Sequence, residues 1–272
     1  MPATLTALDA DQQSFLNRLR EVWRFREVIK NFVAQDLKVK YRRSALGFFW
    51  SLLNPLLQMT VISLVFAQLF RATQNFALYL LSGILPWSFF ASSIEGCAMS
   101  VVNAENMLRR QYFPKLIFPL SFVLQNLVTF VLSLTVLLLT IGPIVGLKFT
   151  LALAVLPLSF ICIVCVAIGL GAMAAVITVY FRDMQHLISV FLSAWFYLTP
   201  VIYPLEQIPA RYQYVFKLNP MFGIIELFHR PIYYGMMPTG LELTSALLTA
   251  AVSLLVGLTV FWRYEDTLIF AL

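Results

Sequence analysis

Long apolar runs separated by short charged segments dominate this chain, and their lengths predict helices that cross a membrane. A membrane-spanning helix needs roughly 20 consecutive, mainly apolar residues. The intervals between charged residues provide six segments of about that length, near 46–70, 77–101, 117–142, 150–179, 186–204 and 242–262. The pattern therefore predicts an all-α, polytopic membrane protein in which residues 46–262 form a six-helix transmembrane domain.

The composition agrees with this prediction. Of the 272 residues, 60% are hydrophobic and only 12% are charged, whereas a soluble domain carries roughly 25% charged residues. A surface with so few charges must face lipid. On a membrane protein, the cations behind the formal net charge of +6 usually set the orientation of the chain in the membrane and contact anionic lipid headgroups. The charge therefore does not indicate nucleic-acid binding.

The distribution of cations predicts that both termini lie in the cytoplasm. With six spans, segments 1–45, 102–116, 180–186 and 263–272 share one side of the membrane, and they hold 14 of the 19 Lys and Arg residues. Lys and Arg collect in cytoplasmic segments. We therefore expect a cytoplasmic N-terminal segment at 1–45 and a cytoplasmic tail at 263–272, with the termini of an inner-membrane protein on the same side.

The N-terminal segment contains a second type of pattern, because residues 14–38 carry apolar side chains at helical spacing. The apolar stripe consists of Phe15, Leu19, Val22, Ile29 and Val33, and most cations occupy the other faces. A basic amphipathic helix with Trp and Phe typically lies in the plane of the lipid headgroups. We predict such an interfacial helix; the alternative is a soluble helix packed on itself.

Residues 205–241 do not fit a simple span or an exposed loop. The predicted topology places them outside, yet they include apolar stretches such as 220–225. Non-helical backbone at membrane depth is tolerated only where protein or a water-filled cavity covers it. We therefore predict short re-entrant helices that enter the outer leaflet between the fifth and sixth spans.

Five segments in this order resemble the membrane subunit of bacterial type-2 ABC exporters that carry lipid-linked polysaccharides, the O-antigen, capsule and teichoic acid permeases. They are KVKYRRSALGFFWSLLNP (38–55), LLSGILPWSFFASSI (80–94), NAENMLRRQYFPKLIFPL (103–120), YFRDMQHL (180–187) with FYLTPVIYP (196–204), and LNPMFGIIELFHRPIYYG (218–235). The resemblance implies a homodimer with two cytoplasmic ABC ATPase subunits and a lipid-linked polysaccharide as substrate. It also implies a coupling helix at about 103–115 between spans two and three.

Residues for chemistry on the chain itself are scarce. The sequence has no G-x-x-x-x-G-K-S/T loop, no H-E-x-x-H motif and no cluster of His, Cys and carboxylate residues. Its three cysteines, Cys97, Cys162 and Cys165, all fall in apolar segments, which indicates packing and not a disulfide framework. Gly169 and Gly171 indicate close helix packing. We therefore predict no metal, no cofactor and no enzymatic activity on this chain, with ATP and Mg²⁺ bound by the ATPase partner.

The predicted coupling helix offers both charged and apolar contacts for that partner. Asn103 is a good N-cap residue, and an acidic residue suits the first turn of a helix. The candidate contacts are Glu105, Met107, Leu108, Arg109, Arg110, Tyr112 and Phe113. Arg182 and Asp183, in the next cytoplasmic turn, are either a second contact or an ion pair. The alternative for 103–115 is an ordinary positively charged loop.

Aromatic residues are the main candidates for a substrate path through the spans. They are Phe48, Phe49, Trp50, Trp87, Phe89, Phe90, Trp195, Phe196 and Tyr197. The apolar faces of sugars can slide over rings without tight binding; the alternative for each ring is an interfacial belt. Glu95 is the ionisable residue that comes closest to the middle of a span, although it lies nearer the cytoplasmic end, and it departs from the family pattern. This scarcity argues against a proton- or sodium-coupled transporter and against a channel.

The start of the first span combines a basic cluster with a helix-breaking residue. The candidate interface and gate residues are Lys40, Tyr41, Arg42, Arg43, Asn54 and Pro55. Proline within a span frees a backbone carbonyl and kinks the helix, so we predict a lateral gate or, alternatively, a static kink. Two other functions stay open: a type-2 ABC exporter of a drug or small lipid, and a membrane-embedded enzyme that modifies lipids or sugars.

Overall fold

The computed structural model describes residues 17–18, 20–41, 50, 53, 57, 60–61, 75–141, 143, 147 and 149–272. Most of the predicted first span lies outside these residues, and so do Arg42, Arg43, Phe48, Phe49, Asn54 and Pro55. The proposed gate therefore stays a prediction. Lys40 and Tyr41 are the last two residues of the first helix, and Trp50 is helical and 46% exposed.

The described residues form helices and turns without a β-strand. Helix α1 spans Arg26–Tyr41, α2 spans Phe76–Asn103, and the short α3 spans Glu105–Leu108. Helix α4 spans Ile117–Val136 and continues as a π-helical turn, Leu137–Ile141; a 3₁₀ turn, Leu151–Val155, leads into α5 at Leu156–Tyr180. Helix α6 spans Met184–Leu198. The all-α prediction is confirmed for this part of the chain.

The remaining elements are short, except for one long helix. After a 3₁₀ turn at Leu205–Gln207, helix α7 spans Ala210–Lys217 and α8 spans Pro220–His229, which continues as a π-helical turn at Arg230–Tyr234. Helix α9 spans Gly240–Tyr264, and α10 spans Leu268–Ala271. We refer to the end of the bundle with α1, α3 and α10 as the α3 end. The end with α7 and α8 is called the α8 end.

Four helical segments in the described residues are long and apolar enough to cross a membrane: Phe76–Asn103, Ile117–Leu139, Leu151–Tyr180 and Gly240–Tyr264. They match the second, third, fourth and sixth predicted spans within a few residues. The fifth differs, because α6 has only 15 residues and so is about 22 Å long. A hydrocarbon core is about 30 Å thick. The predicted span 186–204 is therefore a helix only as far as Leu198, and the count of six spans stays a prediction.

Helix α2 is the centre of the bundle. It packs against α4 and α5, and 78% of its most apolar window is buried inside the protein. Helix α9 packs against α5 on the other side, where the Gly257 and Gly169 backbones meet so closely that a Cβ atom at either position would overlap main-chain atoms of the opposing helix. Small residues allow such approaches between membrane helices. This agrees with the packing interpretation of Gly169.

The N-terminal helix differs from its prediction in two respects. It is interrupted at Phe25, and its second part extends to Tyr41, three residues beyond the predicted end. The apolar stripe also faces protein, because Val22 and Ile29 are buried in a cluster with residues of α4, α5 and α9. Phe32 stacks on Phe118 of α4 with 5.8 Å between ring centroids. The bundle therefore covers the described part of the stripe that we expected to enter the headgroup layer.

The segment between α6 and α9 does consist of short helical pieces, and side-chain hydrogen bonds join it to the bundle. Asn219 caps α8 by accepting from the Met221 N–H at 3.0 Å, and its amide donates to the Leu198 carbonyl and the Thr199 hydroxyl. Nine of the ten α8 residues are buried. The depth of this segment in a bilayer stays a prediction.

Candidate functional site

A groove runs between α2 and α6 and encloses about 400 Å³. One face of α2 supplies its residues at intervals of three or four positions, which is the spacing of neighbours on a helix. The lining residues are Ile84, Trp87, Ser88, Ala91, Ser92 and Glu95 from α2, and Leu192, Ser193, Phe196 and Tyr197 from α6. Aromatic rings, small hydroxyl groups and one carboxylate therefore share a single surface.

The aromatic wall of the groove is held in place by edge-to-face contacts. The Trp87 ring lies 5.7 Å from Phe196 and 6.2 Å from Trp195 between centroids, and Phe90 lies 5.6 Å from Trp195. Aromatic pairs prefer such offset or perpendicular arrangements. The indole N–H of Trp195 donates to Asn219 Oδ1 at 2.9 Å. The wall of the groove is thereby connected to the start of α8.

The structure separates the predicted path residues that it describes on α2 and α6 into three groups. Trp87, Glu95, Phe196 and Tyr197 line the groove, and Tyr197 is 64% exposed. Trp195 and the fully buried Phe90 support the wall from behind. Phe89 lies elsewhere, in the core, where it stacks on Phe130 with 5.1 Å between ring centroids. We therefore retain the first group as candidate substrate contacts.

The polar groove residues that were not predicted from the sequence are the three serines, Ser88, Ser92 and Ser193. The sequence does contain a signal for two of them. Ser88 and Ser92 lie at helical spacing before Glu95, so all three residues share one face of α2. Glu95 is exposed and forms no ion pair in the described part of the chain. Its carboxylate is therefore free to meet a ligand or solvent at the end of the groove nearer α3.

The predicted coupling segment is helical only at Glu105–Leu108, and turns follow as far as Gln111. The prediction that Asn103 caps it is wrong, since Asn103 is the last residue of α2 and Ala104 occupies the N-cap position without a side-chain bond. The Glu105 carboxylate instead pairs with the Arg109 guanidinium one turn later, at 3.0 Å. Helix α2 continues two residues beyond the predicted span and so leaves only a short α3.

The coupling residues present two faces. Asn106, Met107, Arg110 and Gln111 surround a surface depression of about 520 Å³, and Met107 is 40% exposed. Leu108 is buried, and Phe113 packs edge-on against Phe25 with 5.9 Å between ring centroids. One face is therefore available for a partner, while the other fixes the segment to the N-terminal helix.

Polar contacts fix the same segment to the chain termini. The Tyr112 hydroxyl donates to Glu21 Oε1 at 3.0 Å, and the Lys115 N–H donates to Glu265 Oε1 at 3.1 Å. Arg18 donates to the Trp262 carbonyl at 2.8 Å and lies 3.8 Å from Glu265 Oε2. Burial raises the pKa of Glu265, and the Lys115 N–H and the nearby cations oppose that rise. We refer to Arg18, Lys115 and Glu265 as the Glu265 cluster.

Glu265→Ala is expected to lower the thermal midpoint of the purified protein, because it leaves the Lys115 N–H without its acceptor and Arg18 without its counter-charge. Hydrogen bonds to charged groups contribute about 1.5–3 kcal/mol. Asp266→Ala is the matched control, since the exposed Asp266 has no side-chain partner in the described residues, and it should change stability by less than about 0.5 kcal/mol. Equal midpoints for both variants would contradict the assigned role of Glu265.

The turn between α5 and α6 contains Arg182 and Asp183, and both are exposed. No ion pair joins Arg182 or Asp183 to each other or to any other described residue. The nearest tertiary bond joins the Tyr180 hydroxyl to that of Thr267 at 2.6 Å. Both residues are thus available at the surface, and a role as a second partner contact stays a prediction.

No group of three or more metal-ligating side chains occurs among the described residues. Cys97 and Cys162 are fully buried, Cys165 is partly buried, and all three are free thiols. His186, the exposed histidine, contacts the neighbouring Gln185 amide at 3.2 Å. Among the described residues, the α2–α6 groove and the exposed face of the predicted coupling segment are two surfaces at which another molecule can bind.

A multi-pass helical bundle with a groove between two of its apolar helices is consistent with a transporter membrane subunit. Residues 27–233 match the family described as ABC-2 type transporter, and the chain belongs to that family. The family membership expected from the sequence motifs is therefore confirmed.

Relatives match almost the whole chain. The O-antigen export system permease protein RfbA of Myxococcus xanthus is 33% identical over 246 residues, which cover 89% of this chain and 94% of that protein. RfbA of Klebsiella pneumoniae is 28% identical over 86% of this chain and 92% of its own length. The polysialic acid transport protein KpsM of Escherichia coli is 22% identical with the same coverage. These relatives are transport proteins or permease subunits of export systems.

Proposed function

We propose that this chain is the membrane subunit of an ATP-driven exporter that moves a lipid-linked polysaccharide from the cytoplasm across the bacterial inner membrane. It forms the path as a homodimer, with both termini in the cytoplasm and two ABC ATPase subunits bound at the α3 end. ATP and Mg²⁺ bind to those subunits, and this chain carries no cofactor. The excess of cations in the terminal segments supports the orientation.

The mixed lining of the α2–α6 groove is the observation that supports a polysaccharide as the class of substrate. Rings of Trp87, Phe196 and Tyr197 lie beside the hydroxyl groups of Ser88 and Ser92. A sugar presents C–H faces and hydroxyl edges, which match rings and hydroxyl groups respectively. The names of the relatives, which refer to O-antigen and polysialic acid, support the same class. A drug or small-lipid exporter of this family is the alternative.

The exposed face of the coupling segment supports the ATPase contact. Met107 and Arg110 point away from the bundle around the depression described above. Phe113 packs on Phe25, and the Lys115 N–H donates to Glu265 at the end of α9, so these contacts attach the segment to the bundle. A short segment held in this way can pass a rigid-body movement from a bound partner to the spans. Arg182 and Asp183 are proposed as an additional contact at the same side of the membrane.

Tyr197→Ala is expected to reduce the export of polysaccharide about 2- to 10-fold, because one aromatic contact contributes about 0.5–1.5 kcal/mol. Surface polysaccharide would be measured in cells that lack their own copy of this protein and express the variant at wild-type levels. Leu198→Ala is the matched control, since Leu198 is 60% exposed and does not line the groove. Equal export by both variants would contradict the groove as the substrate path.

A further inference from the structure

A second cavity, of about 660 Å³, lies at the α8 end of the bundle. Its walls come from the 3₁₀ turn at Leu205–Gln207, from α7, from α8 with the following π-helical turn, and from the start of α9. The residues that matter for its chemistry are Gln213, Tyr214, Phe222, Glu226, Arg230 and Glu242. The volume lies within the range of about 300–1,000 Å³ that is usual for small-ligand sites. It shares no lining residue with the α2–α6 groove.

Charged side chains from neighbouring helical segments form the floor of this cavity. Phe222, Glu226 and Arg230 follow one another at intervals of four residues and so share one face. Arg230 donates from Nε at 3.1 Å and from Nη2 at 2.7 Å to Glu242 Oε1, and its Nε lies 3.4 Å from Glu226 Oε2. One guanidinium is thus shared between two carboxylates.

The two carboxylates, Glu226 and Glu242, differ in the number of hydrogen bonds that they accept. Glu242 accepts from Arg230 through one oxygen and from the Thr239 N–H at 2.8 Å through the other. Glu226 is only 7% exposed, and its carboxylate accepts no hydrogen bond from any residue that the structure describes. A buried carboxylate normally accepts several hydrogen bonds. Glu226 therefore faces the cavity with acceptor positions that a ligand can fill.

The remaining lining limits the chemistry of that ligand. Glu206, Glu226 and Glu242 outnumber Lys217 and Arg230 around the cavity, so an anion is disfavoured and a donor of hydrogen bonds is favoured. The other walls are the rings of Tyr214 and Phe222 and the side chains of Leu218 and Leu241. A ligand that suits this cavity has hydroxyl groups on one edge and an apolar face, and carries no negative charge.

We propose that this cavity binds a neutral pyranose ring, with its hydroxyl groups donating to Glu226 and its C–H face against Tyr214 and Phe222. The proposal rests on the proposed function only in naming the source of the sugar. That source would be a sugar unit of the exported polymer near the end of the transport path. A glycolipid headgroup has the same ring chemistry, and the experiment below separates the two sources.

The test is saturation-transfer NMR on the full-length protein in lipid nanodiscs that contain no glycosidic detergent. The probes are methyl α-D-mannopyranoside, methyl β-D-galactopyranoside and methyl N-acetyl-β-D-glucosaminide. We expect saturation transfer from the protein to at least one pyranoside, with a loss of about tenfold in affinity in Glu226→Gln and Tyr214→Ala. Tyr212→Ala is the matched control, because Tyr212 is an exposed aromatic residue of α7 outside the cavity.

No transfer to any pyranoside, or transfer that Tyr214→Ala and Glu226→Gln leave unchanged, would overturn the proposal. Both variants must elute as the wild type does in size-exclusion chromatography; Tyr214, which is 63% exposed, keeps the test valid if Glu226→Gln fails to fold. A glycolipid in the nanodisc that displaces the soluble pyranoside, while an oligosaccharide does not, would overturn the polymer as source. Transport assays are separate, so sugar binding without transport would count against the proposed function alone.

Discussion

Gly257→Leu is expected to prevent recovery of folded protein, because it separates α5 and α9, the two helices with the most extensive mutual contact among the described residues. A Cβ atom at Gly257 would overlap the backbone of Gly169, including its carbonyl oxygen. Overpacking by side chains costs about 1–3 kcal/mol, since neighbouring rotamers can adjust. Here the obstacle is main chain, which can move only if α5 and α9 move apart, so the loss should exceed about 3 kcal/mol.

Fluorescence-detected size-exclusion chromatography of detergent extracts measures this effect directly. Gly240→Leu provides the control on the same helix, as no atom lies within 4 Å of a Cβ built there. The control should give wild-type yield and a monodisperse peak, whereas Gly257→Leu should give aggregate or no peak. A monodisperse Gly257→Leu protein with an unchanged thermal midpoint would show that the close approach of α5 and α9 is not required.

Arg110→Glu is expected to abolish stimulation of ATP hydrolysis in the complex while the membrane subunit itself stays folded. Arg110 is exposed, lies beside Met107 at the surface depression, and forms no ion pair in the described residues. Arg109 is a less informative target, because its guanidinium already pairs with Glu105. Reversal of an interface charge that pairs with a partner costs about 2–5 kcal/mol, so association should weaken by more than about 10-fold.

The measurement is co-purification with the cognate ATPase, followed by its ATPase rate in lipid. Arg211→Glu is the matched charge reversal, since Arg211 is an exposed cation on α7 at the opposite end of the bundle. It should leave association and hydrolysis unchanged. If Arg110→Glu and Arg211→Glu bind the ATPase equally well, the exposed face of residues 105–111 is not the contact.

The sequence predicted the long helices well, and the reason is physical. Charged residues are costly inside a bilayer, so they mark the ends of spans. The segments 77–101 and 150–179 therefore fall within two residues of the observed helices Phe76–Asn103 and Leu151–Tyr180. The end of the fifth helix was harder to predict. Residues 186–204 are apolar throughout, so hydropathy does not show that the helix ends at Leu198.

The candidate site was predictable only in part. Helix α2 is apolar on nearly every side, so its pattern does not distinguish a groove-facing Trp87 from a core-facing Phe89. The end of α2 raised a similar difficulty, since Asn103 is a favourable cap by residue type, but α2 extends through it. The Glu265 cluster joins residues more than 140 positions apart, and no local pattern indicates such a contact.

The decisive measurement is transport of a lipid-linked polysaccharide in reconstituted vesicles. The protein and its cognate ATPase would be incorporated into vesicles with a fluorescent lipid-linked polysaccharide, and the glycan that reaches the side opposite the ATPase would be measured. We expect movement that requires ATP, is absent with a hydrolysis-deficient ATPase, and falls in Tyr197→Ala. Movement without ATP, or no movement by a complex that hydrolyses ATP and contains the natural polysaccharide, would show that this chain is not part of an ATP-driven polysaccharide exporter.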